Sequence, residues 1–258
     1  MRELRSETGW LNLAGLFWLK EGTQVFGGSD QDAMTFPKER IPPKAGSLSL
    51  KGDTVTMTVS NGISITREGI PTKESVAFHP GMASPPTYRY GSLTWTVIRR
   101  GDRTGIRLRD LDHPSLAEFK GVPCFPADAA WKVKARLIKH PLPTSIPITN
   151  VLGQTTRQPS PGRLEFEYRG NRYRLDALEE GKLLFILFSD ETNGKETYPS
   201  GRFLYADKPG PDGMVELDFN KSINPPCAFT RYATCPLPPA QNKIPIEVKA
   251  GEKDASGT

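Results

Sequence analysis

Period-two alternation, in short blocks closed by glycine-containing turn dipeptides, constrains this chain more than any other feature. Val55, Met57 and Val59 alternate with threonines, and Asn61-Gly62 follows. Leu93, Trp95 and Val97 alternate with Thr94, Thr96 and Ile98, and Gly101-Asp102 precedes a return carrying Ile106 and Leu108. Leu164, Phe166 and Tyr168 oppose Arg163, Glu165, Glu167 and Arg169, then Gly170-Asn171 turns the chain towards Tyr173 and Leu175. Side chains alternate faces along a strand, so such blocks read as half-buried strands paired into hairpins. The spacing predicts hairpins over 54–67, 93–109 and 163–175. The unbroken run Leu183–Phe188 reads as a central strand covered on both faces. Arg2–Thr8 and Ser115–Lys120 read as short helical segments.

Between the hairpins the chain is irregular. Glycine and proline number 24 each in 258 residues, which suits many short elements joined by turns. Trp10–Leu19, punctuated by glycines, reads as extended structure with turns. Trp131–Ile138 reads as a strand, and His140–Asn150, with three prolines, as an irregular linker or edge. The fold expected is mainly β. Residues 1–120 form a β-sandwich-like half. Residues 121–258 form a β-barrel or curled antiparallel sheet with a long Pro/Asn-rich capping loop.

Charge and cysteine content bound the function. Lysine and arginine number 34 against 29 acidic residues, a net charge of +5 with the signs interleaved. This weakly favours an anionic small-molecule ligand. Without a recognition motif or basic stripe, nucleic acid is not an expected partner. Arg99, Arg100, Arg103, Arg107 and Arg109 gather on one hairpin, as a solvated face or an anion-facing patch. Three cysteines, an odd and sparse set, argue against a disulfide framework and for a reducing compartment. No run approaches the roughly 20 apolar residues that span a bilayer, so no membrane partner is expected. The opening MRELRSETGW does not read as a signal peptide, and the expected location is cytoplasmic.

The chemistry is expected late in the chain. Val215, Leu217 and Phe219 alternate with Glu216, Asp218 and Asn220, so one strand face carries two carboxylates and an amide. Such carboxylates serve as acid and base when their pKa values diverge, or as oxygen ligands for Mg²⁺ or Ca²⁺. The competing reading is the wet face of a surface strand. Arg202 and Arg231, each among aromatic and polar residues, suit a bidentate grip on an anion or a structural pair with Asp218 or Glu216. Asn220, Asn224 and Asn242 suit either a ligand or the backbone of a proline-interrupted loop. His79, His113 and His140 are scattered. Cys227 and Cys235, eight apart, match no zinc knuckle and read as buried small apolar residues. A Cys–His nucleophile requires His140 or His79 to fold over the loop.

Five stretches together resemble one family. They are GWLNLAGLFWLKEG (9–22), RRGDRTGIRLRD (99–110), IPITNVLGQ (146–154), ETYPSGRFLYAD (196–207) and LDFNKSINPPCAFTRYATCPLPPAQNKIPIEVKAGEK (217–253). The chain is similar to the DUF1684 family of bacterial and archaeal proteins, to which no activity is assigned. The resemblance implies signature positions at Gly201, Arg202, Phe203, Asp218, Phe219, Asn220, Asn224, Pro225, Pro226, Cys227, Phe229, Cys235, Pro236 and Asn242. Separately, EGTQVFGGSDQDAMTFP resembles the opening of a forkhead-associated β-sandwich. Phosphothreonine binding there needs an arginine and a serine on separate loops. Gly27-Gly28-Ser29 offers no matching arginine, so only the sandwich is carried over.

The leading expectation is a small-molecule enzyme, hydrolytic in type. Asp218 and Glu216 act as acid/base or metal ligands, and Arg202, Tyr205, Asn220, Asn224, Arg231 and Asn242 bind substrate. The rival is a non-catalytic ligand- or protein-binding β module. In a third reading the loop merely caps the barrel, and the asparagines bond only to backbone.

Overall fold

A computed structural model describes residues 3–255. The chain is mainly β and divides into two compact units, Met1–Phe119 and Lys120–Thr258.

The first unit holds β1 (Leu13–Trp18), β2 (Gly22–Gly27), β3 (Met34–Thr35), β4 (Gly46–Lys51), β5 (Thr54–Val59), β6 (Ile65–Arg67), β7 (Ile70–Thr72), β8 (Glu74–Phe78), β9 (Tyr88–Tyr90), β10 (Leu93–Arg100) and β11 (Arg103–Asp110). A six-stranded sheet runs β1-β11-β10-β9-β6-β7 and a five-stranded sheet β3-β2-β4-β5-β8. Their inner faces share one core, in which Phe26 meets Phe36 at 5.1 Å and Trp95 at 5.6 Å between ring centroids. Helix α1 (Pro114–Glu118) closes the unit, with His113 as its N-cap.

The β10–β11 hairpin forms in the expected register, ending at Arg100↔Arg103. The hairpin expected over 54–67 does not. β5 pairs with β4 and β8 on its two edges, while β6 pairs with β7 and β9 in the other sheet. A strand has only two edges, and both edges of β5 are taken, so Asn61-Gly62 turns the chain from one sheet to the other. The hairpin β5 does form is with β4, through Gly52 at φ 57°. The arginines of β10 and β11 divide: Arg99, Arg100 and Arg103 are exposed, and Arg107 is buried. Arg99 pairs with Asp53 at 2.9 Å, Arg103 lies over Trp18, Arg107 lies over Trp10, and Arg109 donates to Asn12 Oδ1 at 2.7 Å.

The second unit holds β12 (Lys132–Thr149), β13 (Thr155–Tyr168), β14 (Asn171–Glu180), β15 (Leu183–Asp190), β16 (Arg202–Asp207), β17 (Met214–Asp218) and the short β18 (Lys243–Ile244). The order β16-β15-β14-β13-β12-β17 curls into a nearly closed antiparallel barrel, and β18 adds in parallel to β15. Leu164, Leu175, Leu184, Ile186, Leu204 and Leu217 fill it, each almost fully buried. Phe219 closes the layer, with Phe188 at 5.4 Å and Trp131 at 6.1 Å.

Two expectations change here. His140–Asn150 is not an irregular linker: β12 runs through to Thr149. β17 pairs only with Lys132–Arg136, so the rest of β12 has a partner strand on one side only. On that free edge the missing N–H groups of Pro141, Pro143 and Pro147 are tolerated, and the register shifts between Lys139 and Thr144. The β13–β14 turn is Arg169-Gly170, one residue earlier than expected. Both have positive φ, 49° and 74°, as a type I′ hairpin requires. Among the described residues no helix is long and apolar enough to cross a membrane.

Candidate ligand site

The strand face expected to carry chemistry exists, but β12 answers it. Lys132 lies opposite Asp218 and Lys134 opposite Glu216 in the β12–β17 register. Glu216 is exposed and pairs with Lys132 at 3.1 Å. Opposite charges directly across an antiparallel pair stabilise one another. β17 ends at Asp218, so Asn220 is not on the strand. It lies in the 3-10 turn Phe219–Lys221, whose first N–H groups need a cap. Asp218 Oδ1 supplies it, accepting from Asn220 N at 3.1 Å and Asn220 Nδ2 at 2.9 Å.

The remaining expected site residues do not converge on one point. Arg202 is fully buried and pairs with Asp190 at 2.8 Å. Its other donors reach the carbonyls of Val248 at 2.8 Å and Ala250 at 2.5 Å. Asn242, buried, accepts from Asp176 N at 2.7 Å and donates to the carbonyls of Asp176 at 2.9 Å and Leu187 at 2.8 Å. Asn224 donates from its backbone to Glu252 at 2.6 Å and from its side chain to the Lys253 carbonyl at 2.8 Å. Tyr205 stacks on Phe185 at 4.8 Å, and exposed Arg231 lies over the neighbouring Tyr232 ring. The side chains of Asn242 and Asn224 thus bond to backbone, as a capping loop requires. Among the described residues, no group of three or more His, Cys, Asp or Glu side chains is arranged to hold a metal ion. His140 is engaged with Ser160 at 3.3 Å.

A different site lies on the second unit. A groove of about 510 Å³ is lined by Asp128, Trp131, Tyr168, Arg169, Asn171, Tyr173, Ile246, Glu247 and Lys249. That volume is within the range of ligand-sized clefts. Trp131 and Tyr168 stack in it with centroids 4.4 Å apart and planes at 17°. Tyr168 is 8% exposed, and its Oη is buried with no hydrogen-bond partner. Buried hydroxyls nearly always have one, and leaving one unpaired costs about 1–3 kcal/mol. The rim carries both signs: Arg169 lies over the Tyr168 ring at 5.2 Å, and Lys249 bridges Glu247 at 3.1 Å and Glu196 at 3.3 Å.

Local sequence explains each wall. Asp128 caps the 3-10 turn Ala129–Trp131 through Ala130 N at 2.8 Å, which delivers Trp131 to the start of β12. Asn220 clamps Asp128 from across the groove rim, accepting its N–H at 3.0 Å and donating to its carbonyl at 2.9 Å. Tyr168 and Asn171 are the last pair before the β13–β14 turn, which places Arg169 at the tip. The wall bearing Ile246, Glu247 and Lys249 has no regular structure. It is held by Arg202, by Val248 N–H on Asp190 Oδ1 at 3.2 Å, and by Glu191 N–H on the Ile246 carbonyl at 3.0 Å. Arg202 and Asn220, both expected as substrate contacts, are each hydrogen-bonded to a wall of this groove. The lining aromatics went unnoticed as site residues because Trp131, Tyr168 and Tyr173 also satisfy the apolar alternation. The one signal for them is position: Trp131 directly precedes β12, Tyr168 ends β13, and Tyr173 lies near the start of β14.

Comparison with solved structures gives a solution structure of an uncharacterized protein from Haloarcula marismortui, 29% identical, covering 55% of this chain and 80% of that one with a TM-score of 0.45. The FhaA FHA domain, crystallised with the intracellular domain of Rv3910, is 15% identical and covers 36% of this chain and 97% of its own, with a TM-score of 0.26. The comparison with curated proteins gives no match. The family model described as "Protein of unknown function (DUF1684)" matches residues 117–253, more than half of the chain and nearly all of its second unit. The chain therefore belongs to the DUF1684 family.

Proposed function

We propose that the second unit is a small-molecule-binding barrel whose site is the groove between Asp128 and Lys249. One observation carries this reading: a ligand-sized groove is lined by Tyr168, whose hydroxyl is buried with no hydrogen-bond partner in the protein. A bound molecule that hydrogen-bonds Tyr168 Oη relieves that deficit. Trp131, Tyr173 and Ile246 favour a flat apolar part, and the mixed rim favours a zwitterion, whose anionic end suits Arg169. Binding replaces hydrolysis by Glu216 and Asp218 as the leading reading, because those carboxylates are committed to Lys132 and to the Asn220 turn.

Saturation-transfer NMR tests it with three probes of one shape and different charge: phenylalanine, phenylpropionate and phenethylamine. The zwitterion is expected to receive saturation most strongly. Tyr168→Phe, which removes one hydrogen bond of about 1 kcal/mol, is expected to weaken it roughly fivefold. Equal signals from wild type and from Trp131→Ala would place any binding elsewhere.

A further inference from the structure

Cys227 and Cys235 meet on the loop after β17, away from the groove lining. Each is anchored from a different side. Before Cys227, Asn224 is tied to Glu252 and Lys253, Pro225 holds an extended backbone at φ −66°, and Pro226 opens the 3-10 turn Pro226–Ala228 that carries the cysteine. On the other side, the Cys235 carbonyl accepts Val151 N–H at 3.0 Å, and Leu237 N–H donates to the Thr149 carbonyl at 2.8 Å. These anchors bring the two residues together: Cys227 N–H donates to Cys235 Sγ at 3.1 Å.

We propose that Cys227 and Cys235 are a reversible dithiol–disulfide pair that reacts with hydroperoxides, with Cys227 as the attacking and Cys235 as the resolving sulfur. The pair has the asymmetry such chemistry needs. Cys227 is half-buried, whereas Cys235 is 4% exposed. The Cys235 side chain hydrogen-bonds to the Cys227 sulfur and holds its pKa below the usual thiol range against the opposing effect of burial. A sulfur with more thiolate character, beside a second thiol, is the arrangement of a redox-responsive cysteine. Tyr198 stands near both sulfurs, and burial, then the two thiols, push its hydroxyl up, so it remains neutral. Cys124 provides an internal contrast: burial and Glu252 push its thiol up, and it is exposed.

The steps balance. The Cys227 thiolate attacks the peroxide, an S–O bond forms, the O–O bond breaks, and the departing oxyanion takes a proton. The Cys235 sulfur then attacks the Cys227 sulfenic sulfur. An S–S bond forms, the S–O bond breaks, and hydroxide leaves with the Cys235 proton as water. Two thiols are oxidised, one peroxide is reduced, and two equivalents of an external thiol, themselves oxidised to a disulfide, return the pair to its starting state.

The test treats the full-length chain with hydrogen peroxide, alkylates the remaining thiols and digests with trypsin, which cuts after Arg231 and separates the two cysteines unless they are joined. A Cys227–Cys235 cross-linked peptide, lost on treatment with dithiothreitol, is the expected result. Cys235→Ser is expected to accumulate a Cys227 sulfenic acid that dimedone traps. Both cysteines alkylated at a dose that oxidises Cys124 would overturn the proposal. So would Cys227 sulfinic acid beside an alkylated Cys235, or dimedone capture at Cys235 in Cys227→Ser. Because the cross-link is read in the unaltered chain, a variant that fails to fold leaves the decision intact.

Discussion

Tyr168 is under two opposing demands. Its ring is needed in the stack with Trp131, while its hydroxyl lies buried without a partner. Tyr168→Phe keeps the stack and removes the orphan, so the unliganded variant is expected to be more stable by about 1 kcal/mol, measured by urea denaturation. Lower stability would mean the hydroxyl has an unseen protein partner. Arg202 is a different case: its two terminal nitrogens are bonded to Asp190, Val248 and Ala250, while its Nε is buried without a partner. Replacing it with methionine leaves the buried Asp190 carboxylate without its counter-ion, and loss of about 3–5 kcal/mol is expected in the same measurement. Glu252 offers a test of sign. Burial raises its pKa, with Asn224 and Arg202 acting against that rise. The folded chain thus holds this proton more tightly than the unfolded one. The associated stability is present in acid and declines as pH rises through the raised value. Glu252→Gln, which keeps an acceptor for Asn224 N–H, is expected to melt above wild type at neutral pH, with the gap closing in acid. A gap that widens in acid would contradict this.

Among the elements, the hairpins were legible and the choice of partner was not. The alternation of β10, β11, β13 and β14 announces a buried face, and Gly101-Asp102 and Gly170 announce the turns. Asn61-Gly62 announces a turn equally well, yet β5 crosses from one sheet to the other there. Which edges are already occupied is a property of the whole sheet and is not written in a local window. The prolines of β12 mislead for a related reason, since only the assembled barrel shows which of its edges is free. Gly201, a signature position of the resemblance, marks a close approach of chain segments. At φ 93°, a Cβ added there would lie 2.6 Å from the Phe188 carbonyl oxygen and 2.5 Å from Pro238 Cγ. Gly201→Ala combines backbone strain with that clash, and a loss of about 1–3 kcal/mol in thermal unfolding is expected. The candidate site was half legible. Asp218, Asn220 and Arg202 stand out in the sequence, but as positioning residues, because hydrogen-bond partners distant in the chain decide what a polar side chain is free to do.

For the whole molecule, the two cores are separate sets of residues, and the groove, the Arg202 clamp and the Cys227–Cys235 loop all belong to residues 120–258. That segment, expressed alone, is expected to unfold in one cooperative transition and to keep the binding behaviour of the full chain. A molten segment would show that the division by contacts is not a division of stability. The most direct test of the central claim compares full-length wild type and Tyr168→Phe by saturation-transfer NMR with phenylalanine, alongside their urea denaturation curves. The account predicts a variant that folds more stably and binds about fivefold more weakly, because one hydroxyl serves the ligand and not the fold. A variant that binds unchanged, or a wild type to which neither the zwitterion nor its singly charged analogues bind, would contradict it.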